Sequence, residues 1–183
     1  MGKIILVLGG TKSGKTSFAQ NEASKLARLT GKNISYIATA RALDQGMKDR
    51  IKRHKESRPN KWETWEEPLN VSEILTKAAM NKAAAILDCF TMLATNIIME
   101  LGENPERIAA MDAVSRETNA VISAAKGVNS TLFIISNHVE VGLIAPTALG
   151  GLFQDIAGIN HQMLAREADE VYLLTAGIPQ RLK

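Results

Sequence analysis

Short apolar runs alternate with amphipathic stretches along the chain. Ile4-Ile5-Leu6-Val7-Leu8 is apolar and rich in β-branched residues, and predicts a buried strand. Phe18, Ala19, Ala23, Leu26 and Ala27 then recur at helical spacing, and Gly31 marks a helix stop. Ile34-Ser35-Tyr36-Ile37-Ala38 predicts a second strand. From Asp44 to Arg58 the chain is charged and helical in period, with Met47, Ile51, His54 and Arg58 on one face. Trp62-Glu63-Thr64-Trp65-Glu66-Glu67-Pro68 predicts an irregular segment or a short strand. Val71 to Met80 predicts a helix capped by Asn70, and Ala83 to Asp88 an apolar strand closed by a carboxylate. Phe90 to Leu101 predicts a helix stopped by Gly102; a further helix runs to Gly127, with Asn104 capping and Pro105 at its first position. Thr131 to Ile135 predicts a strand, Leu152 to Glu167 a helix, Glu170 to Leu174 a strand, and Gly177-Ile178-Pro179 a turn. Such alternation predicts an α/β fold, a mostly parallel sheet with helices on both faces.

Composition narrows the picture. The chain has 183 residues, and no linker, repeat or low-complexity tract divides it, so residues 1–183 are expected to form a single domain. Lys+Arg 22 against Asp+Glu 19 gives net charge +3, and aromatic residues are 4%. That is neither the charge nor the stacking platform of a nucleic-acid binder. Cys89 is the one cysteine, so neither an intrachain disulfide nor a cysteine-based zinc site is expected. No run approaches the roughly 20 apolar residues of a membrane span, and no signal peptide is evident, so the cytoplasm is the expected location.

The chemistry concentrates first at Gly9-Gly10-Thr11-Lys12-Ser13-Gly14-Lys15-Thr16, which fits G-x-x-x-x-G-K-[ST] between a predicted strand and helix. Glycines let successive N–H groups point inward, and the new helix adds its positive end. Lys15 is expected to reach the β- and γ-phosphates of a nucleotide, and the Thr16 hydroxyl to ligate Mg²⁺. Asp88, at a strand end, is the candidate acid beside that Mg²⁺, or else a cap for the next helix. Ala38, Thr39 and Ala40 either line the same crevice or form an ordinary connection. Glu66 reads as an acceptor for a sugar or base N–H, or as a surface carboxylate. His54, where an apolar stripe turns polar, reads as a nucleophile or base facing a cleft, or as a half-buried structural histidine. The two tryptophans read better as packing than as base stacking. His138 is placed to approach the crevice, whereas His161 falls mid-helix and has no assigned role.

Together these residues resemble the adenosylcobinamide kinase / adenosylcobinamide-phosphate guanylyltransferase family. The likeness is carried by Leu8 to Thr16, Tyr36 to Ala40, Arg50 to Pro59, and Trp62, Thr64, Glu66 and Pro68. It continues through Ile86 to Cys89, Ser136-Asn137, Phe153 to Gly158 and Ala168 to Val171. It implies a RecA-like P-loop NTPase fold, usually a homotrimer, and two reactions. ATP or GTP phosphorylates adenosylcobinamide; GTP then transfers GMP to adenosylcobinamide phosphate, giving adenosylcobinamide-GDP. It further implies that His54 carries the GMP covalently, and that Ala38 to Ala40, Lys55, Glu56, Ser57, Arg58, Glu66 and Asp88 surround the guanine nucleotide. The chain departs from the family where Asn137-His138-Val139-Glu140 replaces Asn-Glu-Val-Gly, where Ala145 to Gly151 lacks the usual arginines, and at Gln154. The alternatives are a P-loop kinase for another small molecule, or a GTP-dependent switch. The switch lacks an N-K-x-D motif, since Asn81-Lys82 is followed by two alanines.

Overall fold

The structure is a computed structural model that describes residues 2–42, 45–56, 59, 61–142 and 145–183, without the side chain of Arg50. Asp44, Ser57, Arg58 and Asn60 lie outside the described residues. Six strands run parallel: β1 (Lys3–Gly9), β2 (Ile34–Ala38), β3 (Glu63–Glu66), β4 (Ala84–Asp88), β5 (Thr131–Asn137) and β6 (Glu170–Thr175). β7 (Ile178–Arg181) runs antiparallel to β6. The sheet order is β3-β2-β4-β5-β1-β6-β7.

Both faces of the sheet are buried, which is why its inner strands read as continuous apolar runs rather than alternating ones. In β1, Ile5 and Val7 pack under α1 (Lys15–Thr30), with Ala19 and Ala23. Ile4, Leu6 and Leu8 face the other way. They join a core shared with α3 (Val71–Ala79), α4 (Phe90–Glu100), α5 (Arg107–Gly127) and α6 (Ala148–Glu167). Each such buried side chain stabilises the fold by roughly 1.5–3 kcal/mol. The small alanines of α1 let that single helix lie close to the sheet, so the loop before it is held against the strand ends. Trp62 packs on the α1 face and Trp65 on the opposite core, with the Lys77 ammonium 5.7 Å from the Trp65 ring centroid. The packing reading of both tryptophans holds. α2 (Gln45–Glu56) belongs to neither core; none of its described side chains is fully buried.

Four sequence expectations need correction. Asn70 precedes α3, but its side chain makes no cap bond. Glu117 of α5 does that work, accepting from Ser72 N at 2.8 Å and Ser72 Oγ at 2.8 Å; burial raises its carboxyl pKa above the usual range. Asn104 does not cap α5. Glu106 does, accepting from Ala109 N at 2.7 Å, because the helix starts at Arg107, beyond Pro105. α6 begins at Ala148 rather than Leu152, with Thr147 Oγ1 accepting from Gly150 N at 3.1 Å. Finally, Ile178-Pro179 is strand rather than turn. Ala176 and Gly177 adopt φ 51° and 84°, the paired positive values of a two-residue hairpin, and Pro179 is tolerated because β7 is an edge strand.

Candidate functional site

The loop between β1 and α1 is braced from three sides. A Cβ at Gly9 would lie 2.5 Å from the Leu174 carbonyl oxygen and 2.6 Å from Ser13 Oγ, so only glycine lets β6 and the loop approach this closely. The Gly177 N–H donates to the Ser13 carbonyl at 3.0 Å, and the His138 N–H to the Gly9 carbonyl at 3.1 Å. Lys15 is 7% exposed and donates through Nζ to the Gly10 carbonyl at 2.5 Å. An ammonium so buried and so tethered, beside the N-terminal end of α1, makes a setting that suits phosphate oxygens.

Asp88 ends β4 and faces the start of α1. Its Oδ2 accepts from Thr16 Oγ1 at 3.1 Å and from the Tyr36 hydroxyl. A carboxylate beside a hydroxyl is a hard-oxygen pair that suits Mg²⁺, an ion commonly held by one or two protein ligands with phosphates and water. Among the described residues no cluster of three or more His, Cys, Asp or Glu side chains is placed to hold a metal by itself. Burial, reinforced by the Asp88 charge, pushes the Cys89 thiol up to about 11, so it is not a thiolate near neutrality.

Two cavities meet at this point. One, of about 260 Å³, is lined by residues 11–17 together with His54, Asp88, Cys89, Ile135 and Asn137. The other, of about 510 Å³, is lined largely by apolar groups of β2, α2 and the segment between them, among them Ala38, Ala40, Met47 and Ile51, with Lys55 and Glu66 at its polar side. Only His54, Asp88 and Cys89 line both among the described residues. The apolar row along α2 therefore faces the larger cavity as its spacing predicts, with Met47, Ile51 and His54 all half-buried. Lys55 forms an ion pair with Glu66.

Other sequence candidates fall elsewhere. Thr39 is fully buried and does not line the cavity; its hydroxyl donates to the Cys89 carbonyl at 2.8 Å and accepts from Cys89 N at 2.9 Å, stitching β2 to β4. Glu56 is exposed and lines a shallow recess with Gly46, Asp49, Lys52 and Arg53 on the outer side of α2. Gly9 and Gly10 frame the loop but do not line the small cavity. Ser57 and Arg58 lie outside the described residues. The His138 side chain is 3.5 Å from Glu140 and lines neither cavity.

Sequence reasoning missed several groups. Asn96, buried in α4, donates to the Thr39 carbonyl at 2.8 Å and the Pro68 carbonyl at 2.9 Å, clamping the loops after β2 and β3. A lone asparagine in an apolar helical run was the available signal. His161, unassigned above, is buried between Ser136 Oγ at 2.7 Å and Glu140 Oε1 at 2.6 Å. A carboxylate only accepts, so the Nδ1 of His161 carries the shared proton. Burial alone would raise the Glu140 carboxyl, but the hydrogen bond from His161 and the nearby imidazoles outweigh it and hold the pKa below 4.5. A depressed carboxyl pKa stabilises the fold above the unfolded value, and that stabilisation is lost as pH falls through the folded value. Glu140→Gln is accordingly expected to lower Tm at pH 7, with the gap to the parent closing as pH falls below 4.5 and through the depressed folded value. A pH series of thermal melts measures this, and a gap that stays constant into acid would contradict it.

A family model described as "Cobinamide kinase / cobinamide phosphate guanyltransferase" matches residues 5–182. "Bifunctional adenosylcobalamin biosynthesis protein CobU" of Salmonella typhimurium is 34% identical, over 98% of this chain and 99% of that protein. The protein of the same name in Escherichia coli is 31% identical over the same shares. "Bifunctional adenosylcobalamin biosynthesis protein CobP" of Pseudomonas aeruginosa is 33% identical, over 97% of this chain and 96% of its own length. With the phosphate-loop architecture and near end-to-end matches in hand, the chain belongs to the cobinamide kinase / cobinamide phosphate guanyltransferase family.

Proposed function

We propose that this chain performs both family reactions on adenosylcobinamide, in one nucleotide site, with His54 as the nucleophile of the second. The observation that carries the reading is the place of His54 at the junction of the two cavities. A nucleoside triphosphate laid along them puts its phosphate tail by Lys15 and its base against Met47 and Ile51. The α-phosphorus, which joins the two parts, then falls at the junction. Of the three groups shared there, Cys89 holds its proton too tightly to attack, and Asp88 is engaged by Thr16 and Tyr36. His54 is the third, and the family resemblance assigns it the nucleophile's role.

In the first reaction the aminopropanol hydroxyl oxygen of the acceptor attacks the γ-phosphorus of ATP or GTP. The β–γ bridging P–O bond breaks, the nucleoside diphosphate leaves and the hydroxyl proton is released. In the second, an unprotonated ring nitrogen of His54 attacks the α-phosphorus of GTP. An N–P bond forms, the α–β bridging P–O bond breaks and pyrophosphate leaves. A phosphate oxygen of adenosylcobinamide phosphate then attacks the same phosphorus, the N–P bond breaks, and His54 is restored. Lys15 neutralises charge on the departing phosphates. Thr16 and Asp88 would hold Mg²⁺, and the chemistry that ion supplies when bound is further neutralisation of phosphate oxygens. The homotrimer enters this reading through the family resemblance, and the cytoplasm as the expectation stated from the sequence.

Intact-protein mass spectrometry after incubation with GTP and Mg²⁺ tests the reading. A GMP-sized, acid-labile gain is expected, retained in Cys89→Ser and discharged by adenosylcobinamide phosphate. Absence of any gain in folded protein that binds GTP would defeat the covalent route.

A further inference from the structure

We infer that Tyr36 is a positioning residue that sets how tightly the site takes Mg²⁺ with its nucleotide, acting through Asp88. The inference rests on the metal role proposed for Asp88. In the parallel pair β2–β4, Tyr36 lies opposite Ile86, and Asp88 lies two residues further along the same face of β4. That diagonal offset is within reach of a ring as long as tyrosine's. The Tyr36 ring spans it, and its hydroxyl donates to Asp88 Oδ2.

Burial makes the hydroxyl informative. Tyr36 is fully buried, among Ile34, Ile86 and Phe133 under α1. Phenylalanine would fill the same space without a polar group to satisfy, and a buried hydroxyl without its partner is costly. The oxygen is spent on the carboxylate at the mouth of the site. Thr16 Oγ1 donates to the same Oδ2 at 3.1 Å, so two hydroxyls from different elements, β2 and α1, converge on one oxygen of Asp88. Thr16 is itself the other proposed ligand, which leaves Tyr36 as the group that holds the carboxylate without being a ligand. Partners of this kind orient a metal-binding carboxylate, and their loss costs about 10–100-fold in metal affinity.

The test is calorimetric binding of GTP carrying a methylene in place of the α–β bridging oxygen, so that His54 cannot react. The titration is run in chelator and over a series of Mg²⁺ concentrations. Parent protein, Tyr36→Phe and Asp88→Asn are compared. Tyr36→Phe is expected to match the parent within about twofold in chelator and to need about 10-fold more Mg²⁺ to reach half of the Mg²⁺-linked gain. Asp88→Asn is expected to lose that gain. If Tyr36→Phe keeps the parental Mg²⁺ midpoint while Asp88→Asn loses the gain, the Tyr36 inference is overturned and the metal reading stands. If Asp88→Asn also keeps the gain, both fall. Should Tyr36→Phe fail to fold, the parent carries its own test. The chain has two tyrosines, Tyr36 and Tyr172, so ring-carbon-13 tyrosine NMR assigned with Tyr172→Phe isolates Tyr36. Its Cζ resonance is expected to follow the Mg²⁺ titration in the presence of the analogue; a resonance that stays put overturns the inference.

Discussion

Replacing His54 by alanine is expected to cut GMP transfer by on the order of 10⁴-fold or more, while phosphorylation of the acceptor stays within about threefold of the parent. The asymmetry follows from which atom attacks in each reaction. In the kinase step the nucleophile is the acceptor's own hydroxyl, and the reacting phosphorus lies at the far end of the triphosphate, beside Lys15. In the proposed transfer step the nucleophile is the imidazole, and removing it would remove the N–P bond that carries the GMP. Loss of fold is not a competing explanation for such a split. His54 is half-buried on α2, a helix without a fully buried described side chain, so the truncation opens no core cavity. Initial rates with each nucleotide, measured separately for the two reactions, decide the matter. An equal fall in both would make His54 a wall of the cavity rather than a nucleophile; unchanged transfer would place the nucleophile elsewhere.

Lys15→Ala is expected to depress both reactions together, each by at least about 10²–10³-fold in kcat. Lys15 is the buried cation of the phosphate loop, tethered to the Gly10 carbonyl, and in the proposed chemistry both reactions expel a phosphorylated leaving group past it. Its charge counts for more there than at an exposed position because little water screens it. The two variants together ask whether one triphosphate site serves both chemistries. If Lys15→Ala spared one reaction at the parental rate while abolishing the other, a single shared site would be untenable. Thermal melts of the variant, run alongside, separate loss of charge from loss of fold.

Much of this architecture was legible in the residues. β2 is found at the bounds read from Ile34 to Ala38, because a run buried on both faces has a sharp apolar edge. The face of α2 was legible too, since period alone puts Met47, Ile51 and His54 together. The helix caps were read less well. Asn70 and Asn104 are good local caps, but Glu117 reaches Ser72 from 45 residues away and Glu106 takes the start of α5, one a tertiary choice and the other a matter of one turn's register. β7 escaped notice because a proline within a short exposed run argues against a strand unless its edge position is known. Tyr36 and His161 were invisible as polar groups with work to do, and Asn96 showed only as a lone asparagine in an apolar run. Each lies in an element whose pattern reads as plain core, and only the fold reveals the Asp88 carboxylate, the Thr39 and Pro68 carbonyls, or the Ser136–Glu140 pair that each one meets. Of the two readings left open for Thr39, the sequence alone could not choose. The residue follows a strand that points at the site, but its own side chain turns inward to Cys89.

The brace from Gly177 to Ser13 has a consequence for how the protein comes into being. The phosphate loop is made about 160 residues before β6, which flanks β1, and before the hairpin turn that holds the Ser13 carbonyl. Until those residues are added, Gly9 has no Leu174 to pack against and the Ser13 carbonyl has no Gly177 N–H to accept from. The braced loop that would meet a nucleotide is therefore completed only once β6 and the hairpin turn have been made.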